Sequence, residues 1–125
     1  MRVMLKSKIH RARVTEVEVN YEGSIAIDRT LMAAADILPY EQVHVVNVNN
    51  GARFETYAIE AEAGSGMIGI RGAAARLAAV GDVVIILTYR HVNEEDTLDY
   101  HPTLVYVDEH NAITRSRRAI PTLPI

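Results

Sequence analysis

Cysteine is absent from this chain of 125 residues, tryptophan is absent as well, and phenylalanine occurs once. Without a thiol there is no disulfide, no thiolate metal site and no cysteine nucleophile, a composition that suits a reducing compartment. No apolar run is long enough to span a bilayer, and the opening "MRVMLKSKIHRARV" has no apolar stretch of signal-peptide length. A cytoplasmic protein that does not enter a membrane is therefore expected. An excess of positive charge is also missing. The formal net charge is −3, so no overall field favours nucleic acid or an anionic membrane. The one basic cluster, Arg115, Arg117 and Arg118, reads as a solvated end or a local subunit contact. The five histidines (10, 44, 91, 101 and 110) show no ligand-like spacing with each other or with carboxylates, which argues against a metal enzyme. The G-x-S-x-G elbow of many serine hydrolases is lacking too.

What is present suits one compact domain. A length of 125 residues with 49% hydrophobic content can bury a real core without staples. Thr15, Val17, Val19 and Tyr21 alternate with Glu16, Glu18 and Asn20, the period of a half-buried strand, and the preceding "MLKSKIHRARV" reads as extended as well. Asp28 can N-cap a short helix through Leu31, Met32 and Ala35, and Pro39 prevents its continuation. "QVHVVNV" (42–48) and "RFETYAIEAE" (53–62) flank an Asn50-Gly51 hairpin signal, with Tyr57, Ile59 and Ala61 sharing one face. "AAARLAAV" predicts a short helix stopped by Gly81. "DVVIILTY" (82–89) predicts a central buried strand, "NEED" (93–96) a polar or helical turn, and "TLVYV" (103–107) the final strand. Short strands, short helices and tight turns point to a small mainly-β barrel or sandwich, and closing a barrel hides strand edges most economically.

Two motifs need separating from their look-alikes. "GSGMIG" (64–69) spells G-x-G-x-x-G, but it continues as strand, has no acidic residue about 20 positions on, and stands in a chain without βαβ repeats. A dinucleotide site is rejected. "NYEGSIAID" (20–28) places Gly23-Ser24 between two extended runs, which is by itself an ordinary turn. Similarly, Tyr57 read alone is a core aromatic. Its strand also carries Arg53, a planar fork for a carboxylate, and Thr56, a hydroxyl, while Lys8 and His10 alternate on the first strand and point one way.

Taken together and in order, "KSKIHRARVT", "YEGS", "NGARF.TYAI" and "GAAA" resemble the pyruvoyl-dependent aspartate 1-decarboxylases, over about Met4 to Val107. The resemblance implies a six-stranded double-psi β-barrel with short helices, assembled as a homotetramer with active sites between subunits. It implies that a single domain, 1–125, cuts itself at Gly23-Ser24 into 1–23 and 24–125, leaving a covalent pyruvoyl group made from Ser24. That group would take L-aspartate through a Schiff base and yield β-alanine for pantothenate synthesis, with Tyr57 as proton donor. Carried over likewise, Lys8 and Arg53 bind the carboxylates, Thr56, Gly72, Ala73 and Ala74 line the pocket, and Thr56 assists the cut. Neither a metal nor pyridoxal phosphate is expected; a maturation helper would be a further partner. Arg71 departs from the pattern, standing where the family usually has asparagine: guanidinium only donates hydrogen bonds and carries a full charge. The rival reading is a processing-deficient or non-catalytic barrel of the same fold.

Overall fold

The computed structural model describes residues 1–120. Nine strands dominate it: β1 (Arg2–Arg13), β2 (Glu16–Glu18), β3 (Ser24–Asp28), β4 (Gln42–Asn47), β5 (Arg53–Ala61), β6 (Ile68–Arg71), β7 (Val83–Val92), β8 (Thr103–Val107) and β9 (Ile113–Arg117). One α-helix, α1 (Arg29–Ala34), and two 3-10 segments, Gly72–Leu77 and Glu94–Asp96, complete it. The strands form one sheet in the order β2-β6-β3-β5-β4-β7-β1-β8-β9. β1 and β2 lie far apart in that order, yet only Val14 and Thr15 separate them along the chain. The sheet must therefore curl until β6 meets the β1–β2 segment, and there Thr15 donates its N–H to the Ile68 carbonyl at 2.9 Å. Six strands complete the ring when β1 and β2 count as one, with β8 and β9 hung on the outside of β1. This is the small mainly-β barrel expected.

The interior follows from alternation along each strand. Ile9, Ala12, Ile25, Ile27, Val43, Val45, Ala58, Ile68, Ile70, Val84 and Ile86 are all fully buried. Each buried Ile contributes on the order of 2 kcal/mol through apolar area removed from water. β1 keeps this pattern against β7 only with two register shifts, between Leu5 and Ser7 and between Ile9 and Ala12. The first bulge re-aims Lys6. Its ammonium donates to the Glu41 carboxylate at 2.6 Å and to the Asp36 carbonyl, tying the barrel wall to the segment after α1.

Asp28 caps α1, accepting from the Thr30 N–H at 2.8 Å. It also accepts from Gly64 N–H at 3.1 Å and Gly66 N–H at 2.8 Å, holding the turn that leads into β6. Burial pushes this carboxyl's pKa up, but the N–H donors of Gly66, Thr30 and Gly64 outweigh that and keep it below its ordinary value.

The fold departs from the sequence reading in three places. The strand expected through Tyr21 ends at Glu18, because β6 offers partners only at Gly69, Ile70 and Arg71; residues 19–23 turn instead. The helix expected to run to Gly81 is a 3-10 segment ending at Leu77, whose carbonyl is taken by the amides of Asn47 (3.2 Å) and Asn50 (3.0 Å). Gly81, at φ +93°, instead turns the chain into β7 and donates to the Val14 carbonyl at 2.8 Å. Finally, β8 is not the last strand. Asp108 accepts from the N–H groups of His110 (2.8 Å) and Ala112 (3.0 Å), and the turn so built returns β9 along β8. Arg115 and Arg117 of β9 stack on Tyr106 at 4.8 and 5.4 Å, so two arginines of the basic cluster are engaged within the chain.

Replacing Asp28 by Ala orphans N–H groups of a helix cap and of a second loop, and should cost on the order of 3 kcal/mol in urea unfolding. Since the folded carboxyl titrates below its ordinary 3.8, the stability it contributes is complete above that value and is lost as pH falls through the lower folded value. Asp28→Asn, which cannot ionise, should flatten that part of the acid unfolding curve.

Candidate active site

Ser24 opens β3 and is 3% exposed, while Gly23 before it is exposed. On one side Ser24 pairs with Arg71 of β6. The next residue, Gly72, has φ +77°, and a Cβ there would fall 2.6 Å from Gly23 Cα and 2.9 Å from Gly23 N. Position 72 therefore needs glycine twice over, for its left-handed backbone and for this close approach. A Cβ added at Gly23 would meet nothing within 4 Å, so space lies open beside the Gly23-Ser24 bond.

On its other side β3 runs parallel to β5, with Ile25 opposite Ala58. The pairing begins there, so Ser24, one residue before Ile25, lies next to the strand that carries Thr56 and Tyr57 just before Ala58, at a strand spacing of about 4.8 Å. Tyr57 is 38% exposed and leans against Tyr40, with ring centroids 6.3 Å apart. The burial expected for an aromatic on this strand belongs instead to its neighbour Ala58. Thr56 is half-buried opposite Val43. Arg53 is exposed and borders a recess of about 130 Å³ with His44 and Glu55. Of the small residues that follow β6, Gly72 is buried against Gly23, Ala74 packs on the core, and Ala73 is exposed.

Lys8 is not gathered with these groups. Its register runs from Lys8 to Leu87, from Leu87 to His44 and from His44 to Glu55. Three strand spacings, roughly 14 Å along the sheet, thus lie between Lys8 and β5. Ser7 and Ile9 are fully buried, so Lys8 and His10 face outward as their alternation predicts. His10 has its pKa lowered by burial first and then by the charges of Lys8 and Arg11, and its buried Nδ1 has no partner. The chain therefore sets Gly23 against Gly72, opens β3 at Ser24 next to the strand of Thr56 and Tyr57, and holds Lys8 elsewhere on the barrel's outer face.

Two features here went unread in the sequence. Arg71 lies 4.9 Å over the Tyr21 ring, and its Nε is 3.3 Å from Glu16 Oε1. Positions 16, 21 and 71 share no local spacing, so only the fold brings them together. Asp28 was legible as a cap, but not as the anchor of Gly64 and Gly66. The glycine-spaced "GSG" was the available signal, since both glycines have positive φ.

A buried serine following an exposed glycine, with a phenol on the next strand, suits acyl transfer within the chain followed by proton delivery. Among the described residues, no group of three or more His, Asp and Glu is placed to hold a metal ion, and no helix is long and apolar enough to cross a membrane. The crystal structure of a rationally designed protein resembles this chain at TM-score 0.43 and 17% identity, covering 67% of this chain and 95% of that one. An aspartate 1-decarboxylase of Dehalococcoides mccartyi is 62% identical over 117 residues, 94% of each chain. Another, from Methylococcus capsulatus, is 60% identical over 118 residues, again 94% of each. The aspartate decarboxylase family model matches residues 1–114, and with relatives this similar over nearly the whole length, the chain belongs to the aspartate decarboxylase family.

Proposed function

We propose that this chain cuts its own backbone between Gly23 and Ser24 and then decarboxylates L-aspartate to β-alanine and CO₂, in service of pantothenate synthesis in the cytoplasm. The observation that carries this reading is the setting of Ser24. It is buried at the head of β3, its preceding glycine lies against the Gly72 backbone, and Tyr57 stands on the adjacent strand. A small carbonyl group replacing the end of β3 at position 24 fits that setting, since nothing larger than the serine is lost or gained there.

In the cut, Ser24 Oγ attacks the Gly23 carbonyl carbon and its proton passes to the departing amide nitrogen, so an ester replaces the amide. The transient oxyanion on Gly23 needs a donor, and Thr56, one register step from Tyr57, is assigned that part. Loss of the Ser24 Cα proton then breaks the Cβ–O bond and frees residues 1–23 with a terminal carboxylate. Water converts the remaining dehydroalanine into ammonia and a pyruvoyl group heading residues 24–125. That group supplies an electron sink for the pair left on the substrate when CO₂ departs, with no call on a metal or pyridoxal phosphate.

The chain's own residues do the rest. The Tyr57 phenol delivers a proton to the carbon that has lost CO₂. Arg53 and Lys8 hold the two carboxylates of aspartate, while Gly72, Ala73 and Ala74 give a wall low enough for main chain to approach the substrate. Because three strand spacings, about 14 Å, separate Lys8 from the strand that carries Arg53 and Tyr57, the assignment calls for a second copy to complete the site. A homotetramer with sites between subunits meets that need, and a helper protein for maturation is part of the same proposal.

Ser24→Ala should fold, stay whole by intact mass under denaturing conditions, and release no CO₂ from aspartate; activity in that variant would remove the pyruvoyl route. Tyr57→Phe should still split after Gly23 but turn over about 10²–10⁴ times more slowly, and near-normal turnover would leave Tyr57 without a role in the chemistry. In Gly72→Ala, the left-handed backbone costs about 1–2 kcal/mol and the new methyl presses on Gly23, so both the urea midpoint and the extent of splitting should fall. A wild-type chain that remains unbroken even after warming would favour the non-catalytic barrel.

A further inference from the structure

Arg71 occupies the one strand position that faces both sides of the scissile loop. Its backbone pairs with Glu18, where β2 ends, and with Ser24, where β3 begins. Residues 19–23 therefore leave from one flank of Arg71 and return on the other. The side chain reaches into this loop. Its guanidinium covers the Tyr21 ring at 4.9 Å, and its Nε points to Glu16 Oε1 at 3.3 Å. It is well shielded, with 19% of its side chain exposed. The adjoining Gly72 touches the same loop twice, since a Cβ there would lie 2.6 Å from Gly23 Cα and 3.2 Å from the Tyr21 carbonyl oxygen. The loop is thus held from one element, β6 and its continuation, at its middle by Arg71 and at its scissile end by Gly72.

Resting on the proposed self-cleavage, we infer that Arg71 is a positioning residue for that cut. It acts through Tyr21 to keep residues 19–23 folded back so that the Gly23 carbonyl is presented to Ser24 Oγ. The physical case is one of geometry. A loop free to move visits many conformations in which the hydroxyl and the carbonyl do not meet, and an attack within a chain gains most when the reacting atoms are held near contact. A planar cation can lie flat on an aromatic ring and still reach a carboxylate with Nε; a short neutral amide at this position can do neither in the same way. Glu16 holds the guanidinium in place, and its own strand position opposite Gly69 is set by β2 pairing with β6. Arg71 touches neither the reacting bond nor the substrate in this role.

The test is a time course of splitting in freshly purified full-length chain, read by mass under denaturing conditions. Arg71→Gln and Tyr21→Leu should each slow the cut about tenfold, and the double variant should be no slower than either alone, because both remove the same contact. Tyr21→Phe, which keeps the ring, should cut at the wild-type pace. Tyr21 is 59% exposed and Arg71 lies outside the hydrophobic core cluster, so these changes leave the core intact. Arg71→Gln cutting at the wild-type rate or faster, additive losses in the double variant, or a Tyr21→Phe chain as slow as Tyr21→Leu would each overturn the role. A wild-type chain that never cuts would remove the proposed function and this role together; a wild-type chain that cuts, matched in pace by the variants, would remove this role alone.

Discussion

The segment from Arg2 to Glu18 closes the barrel, and the rest of the molecule is arranged around that closure. Its first part pairs with β7 on one side and β8 on the other, and its last three residues pair with β6. A strand that must serve both ends of a curled sheet has to finish beside β6, and the chain can then reach β3 only by turning back across Arg71. That is why the Gly23-Ser24 bond lies where the exposed turn 19–23 meets the buried start of β3. It also explains how the fold would survive a break there. Residues 1–23 are held by backbone pairing along the whole of β1, which does not depend on the peptide bond at position 23, and exposed turns are where chains best tolerate interruption.

The position of Ser24 is set from the opposite end of its strand. β3 is only five residues long, and all of them are buried. Its far end carries Asp28, a carboxylate 3% exposed, whose desolvation would be unfavourable without partners. The N–H groups of Thr30, Gly64 and Gly66 provide them. Two of these come from glycines at φ +79° and +68°, and a Cβ at Gly66 would lie 2.6 Å from the His110 carbonyl oxygen. The same corner is held by Asn111, whose side-chain amide donates to the carbonyls of Arg13 and Gly66 at 2.9 and 2.8 Å. One end of β3 is thereby anchored to β1, to the turn before β6 and to the turn before β9. With so short a strand, fixing that end leaves Ser24 little freedom between β5 and β6.

Much of this was legible in the order of residues, for reasons of period and local chemistry. A shared face of Tyr57, Ile59 and Ala61 marked β5, an apolar run marked β7, Asn50-Gly51 marked the hairpin between β4 and β5, and the side chain of Asp28 marked the start of α1. The four short pieces that carried the resemblance lie on β1, before and into β3, on β5 and after β6, and three of these meet around Ser24. What stayed hidden depended on partners distant in the chain. The end of the 3-10 segment at Leu77 is decided by two asparagines near the β4–β5 hairpin, and the aim of Lys6 by a bulge that only pairing with β7 reveals. Tyr57 illustrates the same limit. The strand's period was evident, but which face looked inward was decided by Ala58 packing against Ile25 and not by the size of the aromatic ring.

A barrel of six strands fills its own interior, and here isoleucines and valines do so. Under the proposed function, substrate would therefore meet the protein on the outer surface, where Tyr57, Arg53 and Lys8 all stand. A developing carbanion is poorly served by a surface open to bulk water, which competes for its charge and supplies protons without stereochemical control. The exposed rings of Tyr57 and Tyr40, side by side, are what a covering surface would bury. The separation of Lys8 from Tyr57 within one barrel and the need to exclude water from Tyr57 are independent problems. Under the proposed function, a second copy of the chain laid over that face would answer both at once, and assembly would then be part of the chemistry and not an addition to it.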